Sequence, residues 1–168
     1  MKLAKPLLIT AAVIVLAAAL TYALLHKPLA PAVTFTNLQG ETFELDDLRG
    51  KVVLVNFWAT SCGACVAEMP DMIEVYREYH DRGFEIVAVA MGYDPPNHVL
   101  SFAQTRQLPF PVALDVNGDH ARAFGNVRAT PTAFVISRDG KVLEHKLGVL
   151  DFARLRTLLD KELPCCGR

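Results

Sequence analysis

The sequence predicts an α/β fold in which helices flank both faces of a central mixed β-sheet. Two near-continuous apolar runs, Val52–Trp58 and Phe84–Ala90, have the composition of strands that are buried on both faces. Between them, apolar residues recur at steps of three and four over Cys62–Asp81, which is typical of an amphipathic helix. A strand, a helix and a strand in this order form the repeating unit of such a fold.

The segment before the first apolar run predicts a small β-hairpin. Thr34–Leu45 contains two short strand-like stretches, and Gly40 lies between them at the turn. In the following helix, Pro70 is an internal proline and is expected to kink the backbone. The buried stripe of that helix is predicted at Val66, Met69, Ile73 and Tyr76.

The second half of the chain predicts three more helices and three more strands. Pro95-Pro96 begins the first of these helices, and Asp151 is a suitable N-cap residue for the last. The last two strands are expected to form a hairpin across Arg138-Asp139-Gly140. The predicted elements are a helix at 97–107, a strand at 110–114, a helix at 119–124, strands at 132–137 and 141–147, and a helix at 151–163.

The N-terminal segment has the length and composition of one transmembrane helix. Leu7–Leu25 carries no charged residue, and as a helix at ~1.5 Å per residue it spans about 28 Å, close to the thickness of a bilayer core. Lys2 and Lys5 precede it, which favours a cytoplasmic N-terminus. We therefore expect a single-pass anchor in a bacterial inner membrane, with the rest of the chain in the periplasm or on another extracytoplasmic face.

A cleaved signal peptide is the alternative for this segment, and the chain would then be secreted. Ala30-Pro31-Ala32 has small residues at the spacing of a cleavage site, although it lies somewhat far from the apolar run. Pro28 and Pro31 mark a linker. The predicted organisation is an anchor and linker at 1–32, followed by one domain at 33–168 that we expect to be monomeric.

Charge and cysteine content limit the possible functions. The 168 residues include 17 basic and 18 acidic side chains, so there is no electrostatic case for binding nucleic acid. Cys165 and Cys166 are adjacent and nearly terminal, so a zinc site built from all four cysteines is possible but poor. They follow Pro164 on a predicted flexible tail, which we expect to be dispensable; an electron relay, a vicinal disulfide or metal binding are the alternatives.

The other two cysteines, Cys62 and Cys65, lie between a buried strand and a long helix. A disulfide between positions i and i+3 closes a very small loop, so it would constrain the unfolded chain only weakly. A cysteine at a helix N-terminus faces unpaired N–H groups and the positive end of the helix dipole, and both favour the thiolate that acts in disulfide exchange. We therefore predict a redox pair in which Cys62 attacks and Cys65 resolves the mixed disulfide, with no other cofactor and no metal.

The residues Asn56–Cys65, followed by Glu68–Pro70, resemble the thioredoxin superfamily and, within it, the TlpA/ResA-like group of membrane-anchored thiol-disulfide oxidoreductases. Asp47–Lys51 before the central strand, the extra helix after Ala90 and Ala129–Thr132 before the late hairpin also fit this group. The resemblance implies a thioredoxin fold with an N-terminal hairpin and an inserted helix.

The resemblance also implies roles for four further residues. Pro131 matches the cis-proline that lies against the dithiol, and the backbone of Thr130 would then face the bound substrate. Glu68 matches the glutamate that this group keeps near its dithiol; a solvated carboxylate on the helix surface is the alternative. Trp58 matches the tryptophan beside the active-site strand, where it would contact substrate or pack in the core.

Some positions depart from the pattern of the group. Asn56 stands where cytoplasmic thioredoxins have a buried aspartate, so proton handling by that route is absent and Glu68 gains importance. Ser61 replaces the usual aromatic residue before the first cysteine, and Ala64 replaces the usual proline before the second. Thr130-Pro131-Thr132 lacks the glycine and glutamate of the cytochrome-maturation branch, so that branch is not assigned.

The resemblance implies net reduction of protein disulfides, with electrons from a membrane donor of the thiol-relay type. The clients would be apocytochromes c or copper-site proteins that need reduced cysteines. A disulfide-forming oxidant is one alternative. A copper-binding module, with His145 as a third ligand, is another, since thiolates suit Cu(I). A peroxiredoxin-like enzyme is disfavoured because Ala59 stands where a threonine is expected.

Overall fold

The computed structural model describes residues 13–17, 21 and 27–163. A five-stranded mixed sheet with the order β5-β4-β3-β6-β7 lies at its centre, and a two-stranded hairpin stands beside it. The strands are β1 (Thr34–Thr36), β2 (Thr42–Glu44), β3 (Val52–Trp58), β4 (Phe84–Met91), β5 (Val112–Asp115), β6 (Thr132–Ile136) and β7 (Val142–Leu147). The helices are α1 (Gly63–Tyr79), α2 (Pro96–Arg106), α3 (Asp119–Ala123) and α4 (Phe152–Glu162).

Strand β3 is the centre of the sheet, and all seven of its residues are buried. It pairs in parallel with β4 and antiparallel with β6, so the sheet is mixed as predicted. Successive side chains of a strand point to opposite faces, which explains why an uninterrupted apolar run suits a strand covered on both sides.

The two faces of the sheet carry separate apolar clusters. On one face, Leu54 and Trp58 of β3 pack with residues of α1 and α4, including Met72 and Leu159. On the other face, β3 packs with the hairpin and with residues around α3, including Phe35, Phe124 and Phe134. The helices therefore cover both faces, as the sequence predicts.

Several loops meet at one end of the sheet. Strands β3, β4 and β5 run parallel and so end together, and β6 begins there because Phe57 near the end of β3 pairs with Thr132. The chain leaves β3 into the loop that contains Cys62. This end of the sheet positions the candidate site.

Element boundaries differ from the predicted ones where local backbone chemistry intervenes. The predicted strand at Phe110 begins only at Val112, because Pro109 and Pro111 have no N–H to donate to a neighbouring strand. The long helix ends at Tyr79 and tightens into a 3₁₀ turn, His80–Arg82, which ends at Gly83 with φ +99°. Glycine reaches this left-handed conformation without a steric penalty.

The N-terminal linker is attached to the domain at the opposite end of the sheet from Cys62. The N–H of Val142 donates to the carbonyl of Pro28 (2.8 Å), and the N–H of Ala30 donates to the carbonyl of Gly140 (2.9 Å). No helix within the described part of the chain is long and apolar enough to cross a bilayer. Most of the predicted anchor, 1–12, 18–20 and 22–26, lies outside the described residues.

Candidate active site

Cys62 and Cys65 form a disulfide at the start of α1, with their Cα atoms 5.2 Å apart. Cys62 is the N-cap residue of the helix, and its Sγ accepts a hydrogen bond from the N–H of Cys65 (3.2 Å). The same N–H groups and the helix dipole stabilise negative charge on this sulfur when the disulfide is opened. The helix therefore favours a thiolate at Cys62.

The two sulfur-bearing residues differ in their access to solvent. Cys65 is 0% exposed and packs in the core beneath α1, whereas Cys62 is only partly buried. A partner outside the protein can reach the first cysteine and not the second. This difference in exposure is the one that an attacking and a resolving cysteine need.

Glu68 lies in the core, at 2% exposure, and is not a solvated carboxylate on the helix surface. Its Oε1 accepts a hydrogen bond from Asn56 Nδ2 (3.3 Å), and its Oε2 accepts one from the N–H of Leu150 (3.2 Å). Desolvation by burial raises the pKa of Glu68, and these two hydrogen bonds oppose that rise only in part. A carboxyl with a raised pKa, three residues after Cys65 on α1, is a candidate proton acceptor and donor in the core beneath the dithiol.

Asn56 connects β3 to this carboxyl group. Its side chain is fully buried, and its Nδ2 contacts both Glu68 and Met72 Sδ (3.3 Å). Its Oδ1 has no hydrogen-bond partner among the described residues. Because an amide does not titrate, Glu68 is the ionisable member of this buried pair.

The Thr130–Pro131 peptide bond is cis, as the sequence predicts, and it lies at the same end of the sheet as Cys62. The loop is held by the Thr132 Oγ1, which donates to the carbonyl of Ala129 (2.7 Å), and by the N–H of Gly148, which donates to the carbonyl of Pro131 (2.8 Å). Thr130 is only half-buried.

Trp58 lies in the core and not at the surface. Its side chain is 0% exposed and packs against the ring of Phe102, with the ring centroids 5.1 Å apart. Core packing is therefore the role that the structure shows for this residue, and a partner cannot touch it in this conformation.

Two residues of the β4–α2 loop join the site and were not predicted from the sequence. Asp94 is buried, and its two carboxylate oxygens accept hydrogen bonds from the N–H and the Oγ1 of Thr60, both at 2.6 Å. The Oη of Tyr93 lies 3.3 Å from Thr130 Oγ1. The available signal was a polar cluster that directly follows a buried strand, at the sheet edge where the dithiol loop also lies.

His145 does not join the dithiol. Its ring stacks on Phe134 with the centroids 4.3 Å apart, and Phe134 belongs to the cluster on the other face of the sheet from Cys65. Within 13–17, 21 and 27–163, no three side chains of metal-ligating type are grouped. Cys165 and Cys166 lie outside the described residues.

Comparisons with known proteins agree with this geometry. The Redoxin family matches residues 26–159. Thiol-disulfide oxidoreductase ResA of Bacillus thuringiensis subsp. konkukian (strain 97-27) is 38% identical over 135 residues, which cover 80% of this chain and 77% of that protein. A protein from Chlorobium tepidum, proposed to be the thiol:disulfide interchange protein DsbE, has a TM-score of 0.72 at 32% identity, covering 81% of this chain and 96% of that one. A proposed thioredoxin from Neisseria meningitidis has a TM-score of 0.74 at 37% identity, covering 79% and 88%.

Proposed function

The chain belongs to the Redoxin family and is a thiol-disulfide oxidoreductase of the ResA type, and on that premise we propose that it reduces disulfides in partner proteins outside the cytoplasm. The observation that carries this proposal is the asymmetry of the dithiol. Cys62 is accessible at a helix N-terminus, while Cys65 is shielded beside a buried carboxyl group of raised pKa.

The reaction that suits this geometry begins with both cysteines reduced. The Cys62 thiolate attacks one sulfur of the partner disulfide, that S–S bond breaks, and a mixed disulfide forms as the other partner sulfur leaves as a thiolate. Cys65, as a thiolate, then attacks Cys62 Sγ and releases the second partner sulfur. Two electrons reach the partner, its two thiolates take up protons from water, and the Cys62–Cys65 disulfide remains on the enzyme.

Glu68 is proposed to take the proton from Cys65. A buried thiol is a poor nucleophile until it ionises, and burial disfavours its thiolate. Residues three apart on a helix have Cβ atoms about 5–6 Å apart, so Glu68 lies on the same side of α1 as Cys65. Because the pKa of Glu68 is raised, its carboxylate is a stronger base than an exposed glutamate.

The cis-proline loop is proposed to hold the partner chain beside Cys62. The half-buried Thr130 precedes Pro131 at the end of the sheet where Cys62 lies, and its backbone is proposed to pair with the partner. An extended polypeptide that pairs with exposed backbone gains main-chain hydrogen bonds whatever its side chains are. This mode would allow one enzyme to serve several clients.

The location and the electron source are proposed together. The apolar run Leu7–Leu25 is proposed as a single-pass anchor that holds the domain at the extracytoplasmic face. That location is oxidising, so a dedicated dithiol donor must reduce Cys62 and Cys65 after each turnover. We assign this role to a membrane protein of the thiol-relay type.

The position of the linker is compatible with an anchored enzyme. Residues 28–30 pair with the β6–β7 hairpin at the end of β3 that lies away from Cys62. The seven residues of β3 separate the two ends by about 20 Å, at ~3.3 Å per residue. The dithiol would therefore face away from the linker and stay open to partners.

Apocytochromes c and copper-site proteins are the proposed clients, because their cofactors require reduced cysteines.

Trapping of partners in cells tests the proposed function. A Cys65→Ser variant cannot resolve its mixed disulfide, so we expect covalent adducts through Cys62 that dithiothreitol releases. A Cys62→Ser variant is the matched control and should form none of them. We also expect the wild-type dithiol to be mostly reduced in cells when free thiols are blocked rapidly with maleimide. A dithiol that is mostly oxidised, in cells whose electron donors are intact, would contradict net reduction and indicate disulfide formation.

A further inference from the structure

The loop between β4 and α2 contacts both loops that carry the redox chemistry. On one side, Asp94 binds the N–H and Oγ1 of Thr60, two residues before Cys62. On the other side, Tyr93 reaches Thr130, the residue before Pro131. Adjacent residues of one loop therefore connect the dithiol loop to the cis-proline loop.

The backbone of this loop is held close to the end of β5. A Cβ atom at Gly92 would lie 2.5 Å from the carbonyl oxygen of Asp115 and 3.1 Å from that of Val116. Both distances are to backbone atoms, so only glycine permits this approach without a shift of the chain. Gly92 on one side and the buried Asp94 on the other therefore fix the position of Tyr93.

Tyr93 itself is not part of the core. It is 62% exposed, and it is the only aromatic residue among the large apolar side chains that the described residues expose. An exposed ring contributes little to folding through burial, and ordering its side chain has an entropic cost. Its defined position is thus better explained by something that binds it than by stability.

We propose that Tyr93 is a specificity-determining residue that contacts the partner polypeptide during disulfide exchange. A tyrosine ring offers a large, rigid contact area with few rotatable bonds, which is why tyrosine is frequent where binding energy is concentrated. The Tyr93 hydroxyl lies 3.3 Å from Thr130 Oγ1, where the partner chain is proposed to pair, and Ser61, directly before Cys62, is not aromatic. This inference rests on the proposed function.

The partner feature that Tyr93 would recognise is an apolar side chain close to the reactive cysteine. Two other exposed apolar side chains lie at this end of the sheet, since Val116 follows β5 and Leu147 pairs with Thr132. Burial against such a surface favours extended, unfolded client segments with apolar residues beside the disulfide. A small disulfide that lacks these residues gains nothing from Tyr93.

Stopped-flow reduction of two synthetic peptides tests this inference. Each ten-residue peptide carries one disulfide, with leucine beside the attacked cysteine in one and serine in the other. We expect the reduced full-length protein to prefer the leucine peptide about five- to tenfold in kcat/KM. Tyr93→Ala should remove most of that preference, and Tyr93→Phe should retain it. Leu100→Ala, at an exposed site that lines a cavity with Leu38 and Leu108, is the matched control and should behave as wild type.

Reduction of bis(2-hydroxyethyl) disulfide, which carries no apolar side chain and no ring, provides the second readout. Tyr93→Ala should lose several times more rate with the leucine peptide than with this small disulfide. An undiminished leucine preference in Tyr93→Ala, or an equal loss with both peptides and the small disulfide, would overturn the inference. The preference is a ratio of two rates, so it would persist with reversed electron flow if the enzyme proved to form disulfides. A wrong direction of electron flow and a wrong role for Tyr93 would therefore give different results in this experiment.

Discussion

At the scale of single residues, the dithiol shows how one side-chain chemistry acquires two roles. Cys62 and Cys65 are three positions apart, and what separates them is burial and their position relative to the helix N-terminus. The first sulfur receives a backbone N–H, and the second is enclosed by the core. The sequence alone predicts both roles, because the order of strand, cysteine and helix already determines which residue caps the helix.

Brief alkylation of the reduced protein checks this asymmetry. At neutral pH, iodoacetamide should modify Cys62 at least about tenfold faster than Cys65, because only Cys62 is both accessible and stabilised as a thiolate. Peptide mass spectrometry of samples quenched at short times measures the ratio. Faster modification of Cys65 would reverse the assigned roles of the two cysteines.

Glu68 should make stability depend on pH in a predictable direction. Its folded-state pKa is raised by burial, so the folded state holds its proton more tightly than the unfolded state does. The stability linked to that proton is present in full below the unfolded pKa, near 4.5, and is lost as the pH rises through the folded pKa. We expect Glu68→Gln to have a higher urea midpoint than wild type at pH 7, with a smaller difference at pH 4.

The control for this experiment is Glu74→Gln on the same helix, because Glu74 is exposed and forms a surface ion pair with Arg156. Its free energy of unfolding should stay within about 0.5 kcal/mol of wild type at both pH values. A Glu68→Gln variant that is less stable than wild type at pH 7 and unchanged at pH 4 would show that the carboxylate, and not the acid, is the favoured folded form.

The contact between Glu68 and Asn56 marks the limit of sequence reasoning at this scale. The sequence places each residue on its element and predicts that both matter. It does not show that the two side chains meet, because that depends on how α1 packs across β3. Trp58 illustrates the same limit, since its type suits either substrate contact or core packing, and only the tertiary structure shows that it is enclosed.

At the scale of elements, the hydrophobic pattern predicts nearly all of the strands and helices. Continuous apolar runs identify β3 and β4 because both of their faces are covered, and Asp151 caps α4 as expected by accepting from the N–H of Arg154 (3.0 Å). The β4–α2 loop was missed as part of the site. Its contacts with Thr60 and Thr130 join segments distant in sequence, and no local period or spacing encodes them.

Asp94 is expected to stabilise the loop that presents Cys62. Asp94→Ala removes the carboxylate that accepts hydrogen bonds from the N–H and the Oγ1 of Thr60. We expect the free energy of unfolding to fall by about 1–3 kcal/mol. Asp119→Ala is the matched control, because Asp119 is exposed and its pair with Arg122 is also exposed; it should cost less than about 1 kcal/mol. Urea unfolding of the two variants measures the difference. Equal, small losses would show that Asp94 does not hold the loop.

At the scale of the whole molecule, the dithiol site and the attachment point of the linker lie at opposite ends of the sheet. The dithiol, the cis-proline loop and Tyr93 lie at one end, while the linker residues 28–30 join the other end. Strand β3 leads into the dithiol loop at one end, and its length sets the distance from that loop to the linker at the other end. The fold therefore keeps the dithiol away from the linker. The sequence predicts an anchor, a linker and a domain. Only the pairing of residue 29 with residue 141 shows at which end of the sheet the linker joins the domain.

The C-terminal tail is expected to be dispensable. Leu163 is buried against the core beside α4, whereas Cys165 and Cys166 follow it. A chain that ends at Leu163 should keep turnover within about twofold of wild type, since the dithiol, Glu68 and the cis-proline loop all lie before Leu163. Leu163→Ala in the full-length chain should instead cost about 2 kcal/mol or more, because it creates a cavity. A large loss of turnover on truncation alone would show that the tail takes part in the reaction.

The reduction potential of the Cys62–Cys65 couple tests the central claim most directly. It is measured by equilibrating the full-length protein with glutathione buffers of known potential and counting free thiols by alkylation and mass spectrometry. A reductant should have a reduction potential close to that of thioredoxin, about −270 mV. A shift of ~30 mV in this potential changes the exchange constant tenfold. We expect a value below about −200 mV. A value near about −120 mV, as in strongly oxidising enzymes of this chemistry, would contradict net reduction of partner disulfides.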